Sequence, residues 1–364
     1  MSAAGVAPVP VAGTATKRVV AVQLRVDVGE DVGRNLRHIA DIVGQAAREH
    51  APDMIFLPES ANHPNVHGSV MRRVTEPIDG PTLAVLRGLA AEHGCIVGGG
   101  YLAVRGRDAR GTYAVCEPDG GVSFHDKDQP SMWENNNYTA GQDLGIADTA
   151  AGAIGVANGF EWLRSRTAAR LRGRVKLVAG GMCFPSFPSW AVTKPWFWDR
   201  EHATMVELAR ETPGRMARVV GVPCVHPSHV GDVRMATPFA PGVPWPSVLL
   251  GETQIVDAAG TSLGHLPYAD GEGYVCADVA WADAQPVNPV PAKFWMPVLP
   301  WTVHAVWYAT NASGRARYAL DRRRGAFPWQ GTAAEGADLP DRVPPGMLPL
   351  PSGSALEPAM APTV

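Results

Sequence analysis

The sequence predicts an α/β domain of two packed mixed sheets flanked by helices. Three observations lead there. Short apolar runs rich in β-branched residues alternate with stretches of helical period, several runs close on Gly- or Pro-bearing turns, and hairpin signals are interspersed with strand-helix-strand units.

The first sixteen or so residues are small, Pro-containing and aperiodic, so residues 1–17 are expected to be a loose arm. The fold should begin at Arg18 with "RVVAVQL". After a Gly/Asp turn, Leu36, Ile39, Ala40, Val43, Ala46 and Ala47 recur at helical spacing, and "DMIFLPES" then reads as a buried strand from Met54 to Leu57 closed by Pro58. That order predicts a right-handed parallel crossover. "PTLAVLRGLAAEHG" is helical and stops at Gly94, while "CIVGGGYLAV" and "GTYAVCEPDGGVSFHDK" are strands, the second folded at its D-G-G turn. "GAIGVANGFEWLRSRTAARL" predicts a strand, a sharp elbow and a helix. "VKLVAGGMCF" follows as a strand, "DREHATMVELARETPGRMARVVG" as a helix, "VPCVHPSHVG" as one strand, and "LLGETQIVDAAGTSLGHLPYADGEGYVCADVAW" as a hairpin with an Ala-Gly turn. These elements define a domain over 18–291. Residues 292–364 are rich in Pro and Gly and are expected to be an extension, extended against a neighbour or disordered.

A chain of 364 residues with 46% hydrophobic content can bury a sizeable core. Its net charge of −3 offers no reason to expect nucleic acid or an anionic membrane as partner. The five cysteines, Cys95, Cys116, Cys183, Cys224 and Cys276, lack CxxC spacing and read as reduced thiols of a cytoplasmic protein. No window reaches the length of a membrane span, and the N-terminus lacks the pattern of a secretory signal.

Chemistry is concentrated at a few strand ends. Glu59 in "IFLPES" follows a buried strand directly, and open α/β sheets place their sites at that end. Lys127 in "SFHDKDQPSMWE" closes another strand, with Glu134 seven residues later. Taken singly, Glu59 fits a helix-capping or surface carboxylate equally well, and a Lys and a Glu in a polar loop are solvated far more often than catalytic.

Taken in order, "FLPES", "HDKDQPSMWENNNYTAG" and "IGVANGFEWLRSRTAARL" resemble the nitrilase superfamily, the carbon-nitrogen hydrolases, from Arg18 to about Trp281; "VKLVAGGMCF" and "GETQIVDAAGTSLG" extend the likeness. The resemblance implies a four-layer α-β-β-α sandwich and pairing of subunits into a homodimer or larger assembly. It implies Glu59 as general base, Lys127 as the cation facing a tetrahedral oxyanion, and Glu134 as a second, orienting carboxylate. The family's nucleophile is a cysteine at the elbow, in patterns such as I-C-Y-E. Here that stretch reads Asn158-Gly159-Phe160-Glu161, and glycine cannot form the covalent intermediate.

Three readings follow. In the first, the site is an enzyme in which Glu59 acts on water or substrate while Lys127 stabilises negative charge and the Phe160 backbone N–H donates to an oxyanion. This suits non-covalent hydrolysis, dehydration, cyclisation or isomerisation of a small molecule at a C–N or carbonyl-type centre. In the second, the protein is a pseudoenzyme that binds a ligand or protein partner. In the third, Cys183 on the next strand has taken over as nucleophile, although a buried cysteine is normally inert.

The remaining expectations concern the pocket wall. Trp133, Tyr138, Cys183, Phe184 and His226 form its expected lining, with Asn135, Asn136 and Asn137 at the rim and Asn158 beside the missing thiol. "CVHPSH" carries Cys224, His226 and His229 but no fourth ligand, so neither metal nor organic cofactor is expected. The run Gly98 to Gly100 is no phosphate loop, because no helix start with Lys-Ser/Thr follows it. It is read as a strand that admits another backbone closely.

Overall fold

The computed structural model describes residues 15–349 apart from 191, 193–195, 239 and 337, so most of the expected N-terminal arm and the end of the Pro-rich tail lie outside the described residues. Two mixed sheets lie face to face. The first is built on Thr16–Leu24, which pairs in parallel with Met54–Phe56 on one side and antiparallel with Gly273–Ala280 on the other. It continues from Met54–Phe56 through Ile96–Arg105, Asp108–Cys116 and Val122–Asp126. The second runs in the order Ser262–Leu266, Thr253–Val256, Cys224–His226, Leu177–Gly181, Gly152–Asn158, Ile146–Thr149.

Strand alternation decides which residues enter which layer. Val19 and Ala21 face the second sheet, joining Phe56, Tyr113, Val156, Ala179 and Val225 in an inter-sheet core. Val20, Val22 and Leu24 point the other way, onto the helices Val32–His50 and Pro81–His93. The outer face of the second sheet packs on helices Ser165–Leu171 and Trp196–Val220. Helix, sheet, sheet and helix form the layers that the sequence led us to expect. Asp31 caps Val32–His50 by accepting the N–H of Arg34 at 2.9 Å, and Gly94 ends Pro81–His93 at φ 62°, a left-handed stop that glycine adopts at little cost. Among the described residues no helix is long and apolar enough to cross a membrane.

Three expectations need correction. "VPCVHPSHVG" is not one strand: it breaks at Pro227, so Cys224–His226 belongs to the second sheet and Ser228–Thr237 to the first. Proline has no N–H for a ladder and lets the chain change sheets there. Of the long closing hairpin, only Thr253–Val256 and Ser262–Leu266 pair with each other, while Gly273–Ala280 crosses to the first sheet. Finally, the C-terminal stretch holds a long helix, Trp301–Arg323, where an extended or disordered segment was expected. Its buried positions, Thr302, Val303, Trp307, Thr310, Asn311, Gly314, Tyr318 and Asp321, keep helical spacing, but several are polar or small, so the apolar stripe that reveals a helix is missing.

Candidate active site

Glu59 lies three residues past Met54–Phe56, and its backbone is held from two sides. The glycine run of the neighbouring strand lets it in: a β-carbon on Gly100 would stand 2.6 Å from the Ser60 nitrogen and 3.0 Å from Glu59 Cα. His229 Nε2 meets the Glu59 and Ser60 carbonyls at 3.0 and 3.2 Å. Both partners only accept, so Nε2 carries the proton, and burial depresses this imidazole to about 4 and keeps it neutral.

Lys127 follows Val122–Asp126, and Glu134 sits on the short 3-10 helix Met132–Asn136. Lys127 Nζ donates to Glu59 Oε1 at 2.5 Å and to both Glu134 oxygens at 3.0 and 2.8 Å. All three groups are buried. Glu134 Oε2 also accepts from the Ser131 N–H at 2.5 Å and the Tyr138 hydroxyl at 2.7 Å, and Oε1 from Asn65 Nδ2 at 3.1 Å. Glu59 Oε2 accepts a long 3.4 Å bond from the Cys183 N–H. Glu134 is thus saturated, whereas Glu59 keeps accepting capacity.

The electrostatics set Glu59 apart from the lysine. Burial raises the Glu59 carboxyl to about 7, with Lys127 opposing the rise and Glu134 adding to it. Burial also disfavours the Lys127 charge, but Glu134 and Glu59 outweigh it and hold the ammonium above the usual lysine range. A fixed cation therefore stands beside a carboxyl poised between its two forms near neutral pH.

The elbow brings Gly159 to this cluster. Gly152–Asn158 runs parallel to Leu177–Gly181, and Gly159 turns at φ 55° into the 3-10 helix Gly159–Leu163. A β-carbon on Gly159 would lie 2.8 Å from Lys127 Nζ and 2.9 Å from Glu59 Cδ. An ionic network that sequence reasoning missed fixes the turn: Glu161 Oε2 accepts the Asn158 N–H at 2.8 Å and meets His125 Nε2 at 2.8 Å, while Asp143 meets His125 Nδ1 at 2.6 Å and Arg170 meets Glu161 at 3.0 Å. Burial opposes a charge on His125, but Glu161 and Asp143 prevail and raise it to about 10. His125 and Asp128 flank Lys127, and Asp128 donates its N–H to Glu161 at 3.0 Å, so lysine strand and elbow are tied together through one buried carboxylate.

A small cavity lies over Gly159, with about 20 Å³ open to the centre of a water-sized sphere. Glu59, Asn65, Trp133, Glu134, Gly159, Phe160, Met182, Cys183 and Phe184 are among its walls. Phe160 is locked above by ring contacts to Phe184 at 4.8 Å, Trp307 at 5.3 Å and Trp295 at 5.9 Å, two of them from beyond residue 291. Cys183 is buried, its Sγ accepts the Asn65 N–H at 3.2 Å, and burial together with the Glu59 charge pushes the thiol well above its ordinary value.

Several expected residues lie elsewhere. Tyr138 stands behind Glu134 and faces an outer recess. His226 is buried on the far side of the second sheet, edge-on to Trp162 at 4.8 Å, and is held neutral at about 3 by burial; it does not line the cavity. Strand alternation sends His226 away while the shift at Pro227 sends His229 to Glu59, a reversal that follows from the change of sheet. Asn158 is buried in the elbow, its backbone N–H bonded to Glu161, and is not on the cavity wall. Asn135 binds Asn311 Oδ1 at 2.7 Å and the Pro130 and Met132 carbonyls at 3.0 Å each, a structural clamp, and Asn136 and Asn137 line an open outer recess. Asn65 is a cavity residue that sequence reasoning did not select, as are Met132 and Met182: it is one amide in an irregular loop, brought in only by the fold.

Residues 18–173 match a family model described as carbon-nitrogen hydrolase. No curated protein matches the chain by sequence. Among solved structures, a carbon-nitrogen hydrolase of Helicobacter pylori G27 superposes with a TM-score of 0.58 at 17% identity, covering 73% of this chain and 90% of that one. Nit3 of Saccharomyces cerevisiae, a member of branch 10 of the nitrilase superfamily, gives 0.55 at 20% identity over 73% and 90%. An amidase of Nesterenkonia sp. AN1, carrying the acetamide moiety of fluoroacetamide at its active-site cysteine, gives 0.52 at 17% identity over 76% and 94%. The match to the carbon-nitrogen hydrolase model over residues 18–173 and the superpositions agree on the fold: two mixed sheets flanked by helices, as in these solved structures.

Proposed function

We propose that the protein is an enzyme acting on a small molecule at a C–N or carbonyl-type centre by acid-base chemistry, without a covalent cysteine intermediate. Glu59 is the base, Lys127 the cation for developing negative charge, and Glu134 the carboxylate that orients the lysine. On the resemblance of its elbow, Gly159 takes the place of the family's cysteine nucleophile, a residue that in the Nesterenkonia amidase carries the acetamide moiety of fluoroacetamide.

The observation that carries this reading is the convergence of Glu59 and Lys127 on Gly159, close enough that even a β-carbon there would crowd both. A buried cluster of two carboxylates and a lysine costs desolvation energy that an apolar replacement would avoid, which favours a chemical use for it. A base near 7 is also matched to proton transfer at neutral pH. The relocated-thiol reading fares worse, since a thiolate at Cys183 is disfavoured by burial and by the Glu59 charge.

One observation favours the pseudoenzyme reading: the cavity is small and Phe160 is wedged into an aromatic cluster over it. Turnover of a panel of small primary amides and nitriles, followed by ammonia release, separates the three. Activity abolished by Glu59→Gln and kept in Cys183→Ala supports acid-base catalysis, and the opposite pattern supports the thiol. Saturable binding with no product supports the pseudoenzyme.

A further inference from the structure

Asn65 is 3% exposed and lines the cavity, yet its carbonyl has no task in the scheme above. Its orientation is fixed by its partner. Nδ2 donates to Glu134 Oε1 at 3.1 Å, and because a carboxylate only accepts, the amide nitrogen must face Glu134 and Oδ1 must face away from it. No described residue donates a hydrogen bond to that buried Oδ1. Leaving such an acceptor without a donor costs about 1–3 kcal/mol.

The second acceptor in the cavity is the Glu59 carboxylate, linked to Asn65 through Cys183, whose N–H meets Glu59 and whose Sγ meets the Asn65 N–H. Met132, Phe160, Met182 and Phe184 supply apolar wall. The open space of about 20 Å³ matches one water, which needs about 10–15 Å³ by the same measure and at least two polar partners.

We infer that Asn65 Oδ1 and the Glu59 carboxylate hold one water over Gly159, and that this water is the nucleophile for hydrolysis of an amide-type C–N bond. The inference rests on the acid-base reading and narrows it to hydrolysis. Two acceptors take both water hydrogens, so an oxygen lone pair is left free to face the substrate. The water oxygen bonds to the carbonyl carbon as one proton passes to Glu59, and the carbonyl electron pair moves onto oxygen, in the field of the buried Lys127 cation behind Glu59. Collapse of that oxyanion restores the C=O and breaks the C–N bond, and Glu59 returns its proton to the departing nitrogen. The products are an acid and an amine. Asn65 is a positioning residue in this sequence, and glycine at 159 lets Glu59 and Lys127 close on the elbow without a side chain displacing them.

Crystal structures of the wild type and Asn65→Leu at a resolution that orders waters test this directly. The wild type should hold a water within about 3 Å of both Asn65 Oδ1 and a Glu59 oxygen, and the variant should lose it. A wild-type cavity without such a water, or a variant that retains it, overturns the inference; should Asn65→Leu fail to fold, the wild-type map decides alone. Kinetics on whichever of acetamide, propionamide, butyramide and benzamide is turned over supply the second arm, with hydroxylamine as competing nucleophile. Acid formation in Asn65→Leu should fall on the order of 100-fold with little change in KM, while hydroxamate formation falls far less. Equal loss of both products means a merely structural asparagine and sinks the inference. A held water in a protein that turns over none of these amides removes both the acid-base reading and the nucleophile's role. Turnover without the held water removes this inference alone.

Discussion

The Glu59 carboxylate stands against the α-carbon of Gly159, so that a β-carbon on Gly159 would lie 2.9 Å from Glu59 Cδ and 2.8 Å from Lys127 Nζ. The glycine is also at φ 55°, where a side chain costs about 1–3 kcal/mol whatever its surroundings. Gly159→Ala should therefore lower the denaturant midpoint and also displace the base. Turnover should fall in Gly159→Ala even at temperatures where the variant is fully folded. Gly159→Cys should behave no better, because the thiol enters space that Glu59 and Lys127 occupy; appearance of iodoacetamide-sensitive amidase activity in this single variant would remove the cysteine-independent reading.

Charge bookkeeping in the cluster sets apart two variants of similar size. Lys127→Met leaves two buried carboxylates without their cation and should destabilise the fold by about 3–5 kcal/mol. Glu59→Gln mimics the protonated carboxyl and leaves Lys127 balanced by Glu134, so it should not destabilise the fold, and from about pH 7 upward it should be the more stable protein. Its turnover should fall about 10²–10⁴-fold, the usual worth of a positioned base. Chemical denaturation and initial rates on both variants check the pair. Equal destabilisation by the two would mean that the cluster acts as structure first.

Glu59 gives stability and activity opposite dependences on pH. Its folded-state value of about 7 lies above the ordinary 4.5, so the folded protein binds the extra proton between them. The stabilisation is full below about 4.5 and is lost as pH rises through 7, while the base form needed for turnover appears over the same rise. Glu76 is raised to about 7 by burial as well, so the wild-type stability profile mixes two groups, and the difference between wild type and Glu59→Gln isolates one. We expect kcat/KM to inflect near pH 7 and that difference profile to bend in the same window. A wild type and Glu59→Gln with parallel stability profiles from pH 4 to 8 would deny Glu59 its raised value.

The parts of this molecule visible in the sequence are those whose signal is local. The alternation of Val19 and Ala21 against Val20 and Val22, the glycine stop at Gly94 and the strand-end positions of Glu59 and Lys127 each depend on a few adjacent residues. What stayed hidden depends on partners far along the chain. His125, Glu161 and Arg170 form a network only after two strands and an elbow have assembled, and each alone reads as an ordinary surface charge. His226, expected in the pocket lining, faces away and His229 reaches Glu59 instead, because Pro227 moves the chain from one sheet to the other between them. The strand Ala240–Leu250 carries several prolines, which argue against a strand by propensity but are tolerated because it lies at the end of its sheet, laddered on Ser228–Thr237, with scattered bonds to residues 184–189 on its other edge.

The helix Trp301–Arg323 belongs to the same hidden class and bears directly on the site. Asn311 accepts from Asn135 at 2.7 Å, on the 3-10 segment that carries Glu134, and Gly314 admits Asn135 so closely that a β-carbon there would lie 2.7 Å from Asn135 Cβ. Trp307, 3% exposed, stacks its weight on Phe160 and Trp295 over the cavity. Trp307→Ala should cost about 3–5 kcal/mol, the range for removing a buried aromatic ring. It should also free Phe160 to move upward and enlarge the space over Gly159, so that among amides of graded length the ratio of kcat/KM for butyramide to that for acetamide rises. Trp329→Ala serves as the control, since Trp329 is equally buried but stacks on Phe327 and Tyr318's side of the helix, away from the cavity. A comparable loss of stability in both variants with a changed amide preference only in Trp307→Ala would make this helix the roof of the site; the same preference in both would reduce it to a structural buttress.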